Sequence, residues 1–138
     1  MDKGQLEFII RLFKYYKHLG DEAIERCDDK QLNEQANVES NSMKMIVKHI
    51  SGNMLSRWTD FLNSDGEKTW RNRDSEFEND TWTKAQIRDY WEKGWSVFLE
   101  TLNSLTPDDL SKTVYIRNEA HTVPEAIYRQ LGHYPYHD

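Results

Sequence analysis

Between Asn63 and Trp82 the chain runs for twenty residues without a helical or strand period. This segment constrains the fold most, because strong helical stripes stand on both sides of it. A structureless connection of that length is uncommon inside a compact domain, and in a helical bundle one long crossover sets the two helices it joins parallel. Trp70, Phe77 and Trp82 lie within it, a composition that argues against disorder.

The flanking stripes are clear. Leu6, Ile9, Ile10, Phe13 and Tyr16 recur at steps of three and four, with Ile24 on the same face, and predict a first helix from about Gln5 to about Cys27. Ser42 caps a second helix whose stripe is Met43, Ile46, Val47, Ile50, Met54, Trp58 and Phe61. Thr83 and Gln86 form a capping box for a third, carrying Ile87, Tyr90, Trp91, Phe98 and Leu102. Thr122 and Glu125 form another, with Pro124 in the first turn, ahead of Ala126, Ile127, Leu131 and Tyr134. Short helical turns are expected after Asp28 and after Thr106. Thr113 to Arg117 reads as a β-type run that Asn118 and Glu119 turn back into a short hairpin before the fourth helix. The expected fold is all-α: one domain over residues 1–138, a four-helix bundle running up-down-down-up with the long crossover between helices two and three.

Charge and composition narrow the function. Net charge is −6 with pI near 5.4, which disfavours nucleic acid as a partner. No apolar run approaches the ~20 residues that span a bilayer, so no membrane role is expected. The N-terminus carries acids and no signal-peptide core. Cys27 is the single cysteine, which suits a reducing, cytoplasmic setting.

The chemistry-bearing residues are histidines. His133 and His137 are four apart, so a helix brings both rings to one face, a turn apart. Pro135 between them kinks or opens the helix. His49 lies on the second helix beside its apolar stripe, in a row with Met45 and Asn53. By residue pattern alone these are metal ligands or ordinary core-edge and surface histidines. His18 reads as a solvated side chain and His121 as a turn residue.

Two stretches carry a resemblance: Ile116-Arg-Asn-Glu119, Val123-Pro-Glu-Ala126 and Arg129-Gln-Leu-Gly-His133-Tyr-Pro-Tyr-His137 near the end, and Trp70-Arg-Asn-Arg-Asp-Ser-Glu-Phe77 in the crossover. Together with Val47-Lys-His49-Ile, they are similar to the DinB-like superfamily, in an uncharacterised branch. The resemblance runs from the first helix to the final residue and implies the up-down-down-up bundle. It implies a divalent metal held by His49, His133 and His137. Relatives continue with more helix past the second histidine of the pair, so the fourth helix is expected to be cut short here. Relatives include transferases that use low-molecular-weight thiols such as bacillithiol, and mycothiol-dependent isomerases.

Three imidazoles leave a coordination position open, as catalytic sites do. Zn²⁺ is the first expectation, and Ni²⁺ or Fe²⁺ also accept imidazole. An open Zn²⁺ position favours the thiolate of a bound thiol, the stronger nucleophile. Arg71, Arg73 and Arg117 are candidate clamps for an anionic small-molecule substrate or thiol cosubstrate; otherwise they are surface partners of Asp74, Glu76 and Glu119. Glu119 and Asp74 are weaker candidates for a general base, and no catalytic residue is assigned. Two classes stay open: a metal-dependent thiol transferase or hydrolase, or a non-catalytic metal-binding stress-response protein acting as a homodimer.

Overall fold

The computed structural model describes residues 1–133 apart from Val38; of His133 it describes the backbone only. The chain is mostly helical with a small two-stranded sheet. The helices are α1 (Lys3–Arg26), α2 (Asp29–Asn33), α3 (Met43–Trp58), α4 (Lys84–Ser104) and α5 (Val123–His133). Two 3-10 turns, Asp74–Phe77 and Asp109–Ser111, lie in connections, and strands β1 (Thr113–Ile116) and β2 (Glu119–Thr122) pair antiparallel ahead of α5. Among the described residues no helix is long and apolar enough to cross a membrane.

Local signals start these helices where the sequence places them. Ser42 accepts from the Met45 amide. Thr83 with Gln86 and Thr122 with Glu125 exchange reciprocal bonds of 2.8–3.1 Å, so orphan first-turn amides are satisfied. Two boundaries differ from expectation. α3 ends at Trp58, and Phe61 reaches the core from the following loop by stacking on Trp58 at 4.3 Å. The hairpin turns at Arg117 and Asn118, not at Asn118 and Glu119; both turn residues have positive φ, 52° and 65°, as a tight two-residue hairpin requires.

The core is aromatic. Phe13 of α1 meets Phe98 of α4 edge-on at 4.7 Å, and Trp58 of α3 lies 4.7 Å from Phe98. Val123, Ala126 and Ile127 of α5 close one side. α3 and α4 approach closely at Gly94, where a Cβ would lie 2.9 Å from the Ser51 Cα.

The crossover folds back onto α3 and explains why that helix is buried almost all round. Lys44, 1% exposed, donates to the carbonyls of Glu78 and Asp80 and, at 2.9 Å, to the Asp80 carboxylate. Lys48 donates to the Ser75 carbonyl at 2.7 Å. At the other end Ser56 Oγ donates to the Gly66 carbonyl and accepts from the Lys68 amide. Residues on the polar side of an isolated helix thus become anchors for the loop that covers them, with each buried ammonium hydrogen-bonded as burial requires.

Candidate functional site

His49, Asn53 and Arg57 follow one another at steps of four along one face of α3, so the helix itself lines them up. His49 is 8% exposed, and its Nδ1 lies 3.0 Å from Oε1 of Glu76. Glu76 comes from the 3-10 turn of the crossover and is itself 4% exposed. Arg71 clamps the same carboxylate with a fork: Nε to Oε2 at 3.0 Å and Nη2 to Oε1 at 3.1 Å. Nη2 stands 3.5 Å from Nδ1, a poorer contact than either carboxylate bond. We therefore assign the ring proton to Nδ1, donating to Glu76, which puts the imidazole lone pair on Nε2. Phe77 packs beside the His49 ring with centroids 5.4 Å apart.

The electrostatics follow from this geometry. Burial pushes the Glu76 carboxyl up, but the hydrogen bonds from His49 and Arg71 and the Arg71 charge outweigh it, so it titrates below the usual glutamate range. Gly52 makes room for the arrangement, since a Cβ there would lie 2.2 Å from Glu76 Oε2.

His49 opens on a cavity of about 270 Å³. Five arginines line it: Arg57, Arg71, Arg73, Arg117 and Arg129. Asn53 and Gln130 line it as well, with His49. Arg57 and Arg117 share Glu67, at 3.0 and 3.5 Å. Arg117 occupies the left-handed backbone region, which is strained for a residue with a Cβ. Asp65 holds it there, accepting the amides of Arg117 and Asn118 at 2.9 Å each. Burial alone raises the Asp65 carboxyl, but the amides of Asn118, Glu67 and Arg117 bring it below its ordinary value. Gln130 accepts from Trp58 Nε1 at 3.1 Å, which ties α5 to α3 at the cavity wall.

The cavity thus gathers His49, Arg71, Arg73 and Arg117 of the residues singled out in the sequence. Arg129 and Gln130 bring the last turn of α5 to the same cavity, and His133 is four and three residues beyond them. The His133 side chain and all of His137 lie outside the described residues. Among the described residues no three His, Cys, Asp or Glu side chains form a metal cluster. The donor chemistry at His49 nevertheless fits a metal: a carboxylate on one ring nitrogen fixes the tautomer and raises the basicity of the other, as partners of metal-bound imidazoles do. Glu119 and Asp74 do not line the cavity. His18 pairs with Glu22 on the surface, and His121 contacts the Glu119 carbonyl and Arg129.

Sequence reading missed Glu76 as the partner of His49, and missed Gly52, Arg57 and Arg129. For two of them a signal existed: Arg57 extends the row of His49 and Asn53, and Arg129 extends the row of His133 and His137, each by one step of four.

The crossover that delivers Glu76 is itself acid-sensitive. Asp80 is brought down to about 2, chiefly by its bond from Lys44, against an ordinary value of 3.8. A carboxyl lowered in the folded state contributes stability above its unfolded pKa and loses it as pH falls through the folded one. Urea midpoints should therefore fall between about pH 5 and about pH 2. Asp80→Asn should show a smaller fall than wild type; equal falls would mean that Asp80 does not hold the crossover.

No curated protein matches the chain. A family described as "Protein of unknown function (DUF1572)" matches residues 2–138, nearly the whole length. The chain belongs to the DUF1572 family.

Proposed function

We propose that this protein is a divalent-metal-dependent enzyme on a DinB-like, up-down-down-up four-helix frame, with His49, His133 and His137 as metal ligands and a thiol S-transferase type of reaction. The observation that carries the reading is the Glu76–His49 pair. A buried carboxylate, clamped by arginine, holds one ring nitrogen of a histidine that lines a cavity. The placement of Arg129 and Gln130 on that wall supports α5 as the source of the remaining ligands.

Zn²⁺, or Ni²⁺ or Fe²⁺, would supply Lewis acidity that favours the ionised form of a thiol. The chain's own residues do the rest. Glu76 holds the His49 tautomer. Arg71 keeps Glu76 ionised and in place, and Arg73 and Arg117 attract the anionic part of a small-molecule substrate or thiol cosubstrate. The test is turnover of a low-molecular-weight thiol with monochlorobimane by metal-loaded protein. Rate above the metal-only background should be lost in His49→Ala. Equal rates in the two proteins would sink the proposal.

The second reading is a non-catalytic metal-binding protein acting as a homodimer. It draws on Phe8, Tyr15 and Leu19, which line up on α1 and are 59%, 56% and 41% exposed. Exposed apolar stripes of this kind are a common signature of association. Light scattering together with the turnover assay separates the two: a dimer that binds metal and turns over no thiol favours the second.

A further inference from the structure

The charge around the His49 cavity is far out of balance. Five guanidinium groups line it, and among the described residues the carboxylates within ion-pair distance of them are Glu67 and Glu76. Arg71 is engaged in its fork with Glu76, and Glu67 is divided between Arg57 and Arg117. Arg73 and Arg129 have no acid partner among the described residues, and Arg129 instead faces His121 Nε2 at 3.3 Å. Among the described residues three positive charges are thus left over at one cavity of a chain whose net charge is −6.

We propose that this cavity binds a small molecule bearing a doubly charged oxyanion, either paired carboxylates or a phosphate, and that Arg73, Arg117 and Arg129 hold that charge. The inference rests on reading the His49 cavity as a substrate site, and it names the chemical class of that substrate. Three arguments converge on it. The described residues of the wall are all polar or charged, whereas pockets for neutral ligands are mostly apolar. The three arginines reach the cavity from three separate parts of the chain, the crossover, the hairpin turn and α5, and a planar guanidinium fork matches carboxylate and phosphate oxygens. Arg117 is fixed in a strained backbone conformation by Asp65, which sets the guanidinium's origin before any ligand arrives.

Two further observations agree. Burial lowers the Arg57 pKa, and Arg129 and Arg71 lower it further, so an anion entering here relieves repulsion among cations. Asn53, 8% exposed on the same wall, has a buried Oδ1 with no donor among the described residues. A hydroxyl or other donor on the anion would satisfy it.

The test is isothermal titration of tag-free protein as purified, with metal content measured on the same sample, using succinate, inorganic phosphate and acetate as probes. At least one of the two dianions should bind about tenfold or more tightly than acetate, and which one does so distinguishes a dicarboxylate from a phosphate. Arg73→Gln and Arg117→Gln should each weaken that binding by about tenfold, while Lys14→Gln on the α1 surface leaves it unchanged. Equal affinity for acetate, no binding of either dianion, or unchanged binding in both arginine variants overturns the inference. Dianion binding by protein that cannot hold metal would contradict the metal reading and sustain this one. Metal uptake without dianion binding would do the reverse.

Discussion

Replacing Glu76 with alanine is expected to destabilise the fold by about 3–5 kcal/mol, because it leaves a buried charge without its partner. The Arg71 side chain is 3% exposed and both arms of its fork end on this carboxylate. The change also removes the acceptor of the His49 Nδ1 proton. Urea unfolding measures the first effect, and competition with a chelating dye measures the second. Metal affinity should drop by about 10–100-fold, as when a carboxylate behind a metal-bound imidazole is lost. A double variant, Glu76→Leu with Arg71→Leu, should recover much of the stability and none of the metal affinity. A loss below about 1 kcal/mol in Glu76→Ala would mean that the pair behaves as a surface ion pair.

The second large effect is expected at Gly52. In the interior of a helix, glycine to alanine normally stabilises by about 1 kcal/mol. Here the new methyl would lie 2.2 Å from Glu76 Oε2 and 3.1 Å from its Cδ. A carboxylate is the far end of a flexible side chain and would ordinarily swing aside. This one is held by Arg71 and His49, so moving it breaks the fork that fixes the ring. Gly52→Ala should therefore lower stability by about 1–3 kcal/mol, as overpacking does, and weaken metal binding as much as loss of Glu76 does. Thermal unfolding and the same dye competition decide it; a gain in stability with unchanged affinity would contradict the geometry.

What was legible in the sequence was what neighbours along the chain determine. Ser42, Thr83 and Thr122 cap helices through bonds that span three residues, so their partners are visible in sequence. The stripes of α1, α3 and α4 are equally local in origin and correctly name Phe13, Trp58 and Phe98 as core. What was not legible depends on contacts across the crossover. Glu76 is twenty-seven residues from His49, and no spacing rule joins a loop carboxylate to a helix histidine. Lys44 and Lys48 look like a solvated face until the loop's carbonyls arrive over them. The hairpin turn shifts by one residue because Asp65, fifty-two residues earlier, accepts the Arg117 amide and stabilises a conformation that arginine alone would avoid. Of the anion-binding candidates, Arg73 and Arg117 line the cavity beside His49, while Arg71 lines it but is committed to Glu76. The companion arginines Arg57 and Arg129 become apparent only when α3, the crossover, the hairpin and α5 are assembled together.

The central claim is that His49 is a metal ligand. The most direct measurement is elemental analysis of protein purified without a histidine tag, wild type beside His49→Ala, after equal exposure to Zn²⁺ and desalting. The account predicts about one divalent ion per wild-type chain and a large loss from the variant. The same metal content in both proteins, or no retained metal in the wild type, would contradict it.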